Sequence, residues 1–152
     1  MKILPTVKQR HASQAAVSFW NLAHARSHLS EGQRITSILD GFDVAWAVAA
    51  KSTFGMSPTH VGRLLNLSLS TFERRKKDEK PLDSVASERL DRLAAVAIQA
   101  EEVFEDKDEA ARWMATPNDA LSGDSPVMLC ETEIGAKQVR RVLNALEWGG
   151  VV

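Results

Sequence analysis

Apolar residues recur along this chain at spacings of three and four, the period of a helix with one buried face. Ala16, Phe19, Trp20 and Ala23 predict an amphipathic helix over about 13–28, preceded by a loosely structured start over 1–11. Ser30 and Gln33 have the spacing of a capping box ahead of "RITSILDGF". "DVAWAVAAKSTFG" reads as a mostly buried helix that Gly55 stops. Ser57-Pro58 then opens a helix whose apolar face is Val61, Leu64 and Leu65. A further helix runs from near Leu69 to Asp78 and ends before Pro81. A long amphipathic pattern follows from about Leu82 to Val103, through Leu90, Leu93, Ala94, Ala97 and Ala100. Asp106 caps "KDEAARWMA", which Pro117 ends. After a loop with Asn118, Gly123 and Pro126, "PVMLC" is apolar but too short to assign. A last helix spans about Thr132 to Trp148, where Gly149-Gly150 breaks it.

Composition agrees with an all-α chain. Hydrophobic residues make up 44% of the 152, enough for a core, with no Tyr and few β-branched runs. The length suits one domain, or two small ones sharing a long helix. Charge is uneven although the net is -1. Residues 1–39 carry five basic and one acidic residue, 40–82 seven and five, and 83–152 seven and fourteen. A basic first half and an acidic second half imply two kinds of partner. Cys130 is the only cysteine, so no internal disulfide and no C-x-x-C zinc spacing exist. No stretch has the length of a signal peptide core or a membrane span, which predicts a cytoplasmic protein without membrane contact.

The segment "LLNLSLSTFERRKK" meets the requirements of a helix-turn-helix in order. Gly62 supplies the small residue of the first helix. Asn66 stands where the turn needs a left-handed backbone. Leu67 and Phe72 pin the two helices together. Ser68 caps the second helix, in preference to Ser70. The candidate DNA-contacting residues are Ser68, Ser70, Thr71, Arg74, Arg75 and Lys77. Arginine reads guanine edges, and hydroxyls reach phosphates or bases. The competing reading is a solvated basic helix that packs by Leu69 and Phe72 and touches nothing.

DNA binding leaves the acidic residues 98–152 without a task. Here Val103-Phe104, Asp106, Ala111, Trp113-Met114 and Thr116-Pro117-Asn118 are followed by Ala120-Leu121, Gly123, Pro126, Thr132, Gly135-Ala136, Val139, Leu143 and Gly149. In this order and spacing they resemble the Xre/MbcA/ParS-type antitoxins of bacterial RES–Xre toxin–antitoxin modules. With the central helix-turn-helix, the resemblance covers about two thirds of the chain. Glu105 departs from the family's usual Gly after Phe, and Cys130 from a common second Leu.

Residues 1–40 match the family poorly and read as an N-terminal helical extension; the resemblance implies a central Cro/cI-like helix-turn-helix domain (41–97) and a small, mainly helical toxin-binding domain (98–152). It implies promoter DNA bound by a homodimer as autorepressor. It also implies a RES-type, NAD-consuming toxin whose active site the chain end covers. The toxin-contacting candidates are Asn118, Leu121, Glu147, Trp148, Gly149, Gly150, Val151 and Val152. The small apolar residues from Leu90 to Ala100 are a candidate dimer face. Two alternatives are a stand-alone regulator whose C-terminal domain senses a ligand and an adaptor that binds only protein. His24 and His28 have helical metal-ligand spacing but no third ligand, and Cys130 has no His partner. The expectation is a non-enzyme without cofactor or metal.

Overall fold

The core is built on one long helix, and the reason lies in its composition. In the computed structural model, which describes residues 19–149, α6 (Ser84–Phe104) buries Ala86, Leu90, Leu93, Ala94, Val96, Ala97 and Ala100. Small residues alternating with Leu and Val let neighbours approach α6 from more than one side. Asp83 caps its start, accepting from the Ala86 amide at 2.8 Å. The face proposed for a dimer over Leu90–Ala100 is therefore a correction: those apolar side chains pack inside the chain and offer nothing to a second copy.

Before α6 in the chain come α1 (residues 19–27), α2 (Glu31–Asp40), α3 (Ala45–Thr53), α4 (Pro58–Leu65) and α5 (Leu69–Asp78), of which α2 and α4 pack on α6. Phe19 is fully buried and meets Trp20, Trp46 and Phe54 edge-on. The described part of the N-terminal segment is helical, as expected, and its Phe19, Trp20 and Ala23 belong to the core. The loose start over 1–11 and the helical position of Ala16 concern residues 1–18, which lie outside the described residues.

Helix α2 buries no residue of its own, although Ser30 and Gln33 form the expected capping box. Ile35 and Leu39 point to solvent one turn apart. Half-buried Ile38 packs against the core, and polar groups add to the hold on α2. Arg26 of α1 donates from Nε (2.9 Å) and Nη2 (2.6 Å) to Asp91 of α6. Arg34 of α2 reaches the same carboxylate at 2.6 Å, and Arg26 Nη1 donates to Ser37 at 2.9 Å. The Arg26 guanidinium also lies 4.4 Å from the Phe42 ring centre.

Towards the chain end come α7 (Lys107–Ala115), a 3₁₀ turn (Asp119–Leu121), α8 (Pro126–Leu129) and α9 (Glu133–Glu147). Both α7 and α9 pack on α6. "PVMLC" resolves into the short helix α8 followed by buried Cys130. Gly135 follows from close packing: a Cβ there would run into the Leu129 carbonyl. No strand occurs among the described residues, and none of their helices is long and apolar enough to cross a membrane.

Glu105 ends α6 with φ 56° and ψ 24°, a left-handed conformation. That is the physical reason a glycine suits this position. Glu105→Gly is expected to relieve this strain and stabilise the chain by about 1 kcal/mol. A thermal melt checks it, and a lower midpoint would refute it.

Candidate DNA-reading helix and toxin-facing chain end

Each part of the helix-turn-helix sits where its chemistry requires. Ser57 caps α4 by accepting from the His60 amide at 3.2 Å, and Pro58 fills the first helical position. Val61, Leu64 and Leu65 are buried. Asn66 turns the chain with φ 55° and ψ 45°. The Leu67 amide then donates back to the Gly62 carbonyl at 2.9 Å. A Cβ on Gly62 would lie 2.7 Å from the Leu67 carbonyl oxygen, so the close approach here is by the turn backbone. Arg89 of α6 donates to the Leu64 carbonyl at 3.1 Å, satisfying an orphan at the end of α4.

Ser68 caps α5, accepting from the Thr71 amide at 3.2 Å while donating to the Thr71 hydroxyl at 2.8 Å. Phe72 is buried and fastens the helix. Ser70, Arg74 and Lys77 share the exposed face, and among the described residues neither cation has an ion-pair partner. Arg75 differs from them. It is half-buried, and its Nη1 donates to the Pro81 carbonyl at 2.5 Å, which ties the end of α5 to the following loop. A free base-reading role for Arg75 is thus corrected to a positioning one. Its register could have shown this, since Arg75 lies three residues from Phe72 on the inner side. Sequence reading also passed over two residues of the outer face, Leu69 and Glu73, because it looked for hydroxyls and cations. Leu69, read as packing inward beside Phe72, is 53% exposed.

The other candidate surface is the end of α9. Thr132 caps this helix through the Gly135 amide at 2.9 Å. Ala136, Val139 and Leu143 are buried against α6, which turns Ile134, Lys137, Arg141 and Trp148 outward. Trp148 is 85% exposed, beside exposed Glu147 and Gly149. Gly150, Val151 and Val152 lie outside the described residues. Two other toxin-contact candidates have internal tasks. The Asn118 side chain accepts from the Ala120 amide at 2.9 Å and shapes the 3₁₀ turn. Leu121 is 6% exposed, so a contact through its side chain is corrected to a core role. Trp113 is half-buried and packs against Phe104 with ring centres 5.6 Å apart.

Polar contacts also link α4 and α6 to the segment between α8 and α9. Arg63 of α4 pairs with Glu131 at 3.2 Å, and Arg92 of α6 donates to the Cys130 carbonyl at 2.9 Å. Cys130 itself is buried, its Sγ 3.4 Å from the Pro126 carbonyl, and burial pushes its thiol up to about 12. His24 faces Glu101 at 2.6 Å.

Comparison with known proteins matches both parts. Residues 33–95 match the antitoxin Xre-like helix-turn-helix domain. Residues 99–149 match the antitoxin Xre/MbcA/ParS C-terminal toxin-binding domain. The chain belongs to the Xre/MbcA/ParS antitoxin family. It is 32% identical to the antitoxin Xre of Pseudomonas putida over 75% of this chain and 70% of that one. It is 30% identical to the antitoxin Xre of Photorhabdus laumondii over 83% and 80%. Similarity extends to the Prs ADP-ribosylating antitoxin of a Sphingobium strain, 30% identical over 56% and 59%. This Xre-type antitoxin therefore has a toxin as partner through its C-terminal part, and its helix-turn-helix implies DNA binding.

Proposed function

We propose that this antitoxin neutralises a RES-type, NAD-consuming toxin by laying the chain end around Trp148 over the toxin's active site. The observation that carries the reading is the almost full exposure of Trp148 at the end of α9, within the matched toxin-binding domain. A large aromatic kept in water is costly unless a partner covers it, and Trp is a frequent interface anchor. Exposed Glu147 and Gly149 belong to the same end. The Sphingobium relative's name couples an antitoxin to ADP-ribosyl chemistry, for which NAD is the donor. The antitoxin acts in the cytoplasm by binding and catalyses nothing itself.

The test is co-expression with the adjacent reading frame. That frame alone should deplete NAD and stop growth, while co-expression restores both and yields a co-purifying complex. An adjacent frame that leaves NAD and growth untouched sinks the toxin assignment.

The same chain binds its promoter as a homodimer and represses it. Ser70, Arg74 and Lys77 contact DNA, with Ser68 and Thr71 at the helix N-terminus favouring phosphate. The dimer uses a face other than the apolar side of α6. Arg74→Ala is expected to weaken operator binding by about 1–3 kcal/mol and leave toxin capture unchanged. Titration of labelled promoter DNA decides this, and unchanged affinity removes Arg74 from the interface. A ligand-sensing regulator has less support, because the C-terminal match is to a toxin-binding domain.

A further inference from the structure

We infer that Leu69 reads a thymine C5-methyl group in the operator's major groove, and so sets part of the sequence preference. The inference rests on the DNA-binding reading above. A single exposed leucine is ordinary on a protein surface. The position of this one is not. Leu69 is the first residue of α5, directly after the Ser68 cap, and is 53% exposed. In a helix-turn-helix, the N-terminal residues of the second helix are those that reach base edges.

Among the described residues, Leu69 is not part of the buried core. The core contact of α5 is made by Phe72, and a helix first turn favours polar or acidic residues. Around Leu69 stand exposed Ser70 and, about one turn on, Glu73 and Arg74. The Glu73 carboxylate has no ion-pair partner among the described residues. A carboxylate facing phosphate would be repelled, so the Leu69–Glu73 edge of α5 suits base edges better than the backbone. Among the groups displayed in the major groove, thymine's C5-methyl is the apolar one. Leu69 is the apolar side chain of the exposed α5 face, so the two match.

The experiment uses the full chain and duplex DNA from upstream of its own gene, narrowed by footprinting to the protected half-site. Each thymine is replaced in turn by uracil, which lacks only the methyl. At one thymine per half-site, uracil should lower wild-type affinity about fourfold, the equivalent of one buried methyl. Leu69→Ala should bind the thymine duplex correspondingly less tightly and be blind to uracil at that position. Its salt dependence should match wild type, because no phosphate contact is lost. Circular dichroism of the variant checks that this exposed substitution leaves the fold intact.

A wild-type protein indifferent to uracil everywhere overturns the methyl contact while leaving DNA binding standing. A Leu69→Ala variant that still senses uracil as wild type does overturns it too. So does a variant that loses toxin capture or self-association with DNA affinity unchanged, which would make Leu69 a protein contact. A wild-type chain that binds no upstream duplex overturns both this inference and the DNA reading beneath it.

Discussion

Asp91→Ala should destabilise this antitoxin by about 3–5 kcal/mol, the cost of removing one partner from a buried ion pair. Arg26 is 8% exposed, and two of its nitrogens point at the Asp91 carboxylate. With Asp91 gone, that guanidinium stays buried without its counter-charge. Helix α2 would suffer as well, because it has no fully buried side chain, only half-buried Ile38 on the core, and Arg34 ties it to α6. Urea unfolding followed by tryptophan fluorescence measures the loss. A change under 1 kcal/mol would show that water or a new partner compensates Arg26.

The same cluster gives a pH dependence with a definite sign. Burial by itself raises the Asp91 carboxyl, but hydrogen bonds from Arg34 and Arg26, with their charges, outweigh it and hold it below the usual carboxylate range. A lowered folded pKa contributes stability at pH above the unfolded value of about 3.9. That contribution disappears as pH falls through the folded pKa. The stability gap between wild type and Asp91→Asn should thus be constant near neutrality and close in acid below about pH 4. A gap that widens in acid would contradict the assignment.

Trp148→Ala should weaken toxin binding by about 2–4 kcal/mol, in the range of an interface hot spot. Because Trp148 is 85% exposed, the free antitoxin should keep its melting temperature. Operator affinity should also be unchanged, since the α5 reading face is built from other residues. Calorimetry of the variant with the purified toxin supplies the number. Equal affinity for wild type and variant would move the interface away from the end of α9. Loss of melting temperature would instead mean that Trp148 packs on its own helix.

Local signals carried much of this architecture. Caps at Ser30, Ser57, Ser68 and Asp106 all bond within three residues, so sequence spacing alone announces them. The turn at Asn66 was legible for the same reason: few residues accept φ near 55°, and Asn is one. Phe72 could be placed inside because a helix period fixes which residues share its face. Arg75 was misjudged because a run of cations hides its register; its partner, the Pro81 carbonyl, lies in a loop beyond the helix. Leu121 was misjudged because an apolar residue in a loop has no period to say whether it faces in or out.

Taken alone, the sequence determined the all-α class, the helix order, the helix-turn-helix and, through its spaced residues, the family. These rest on interactions between residues a few positions apart, which leave a pattern in the chain. Tertiary structure alone decided that α6 turns its apolar face inward, that Arg26 and Arg34 share Asp91, and that Trp148 and Leu69 are left in water. Arg26 and Asp91 are 65 residues apart, and no local rule pairs them. Exposure, likewise, is set by which neighbours arrive from elsewhere in the chain. Burial and long-range pairing are properties of the assembled whole, and the functional surfaces are what that assembly leaves uncovered.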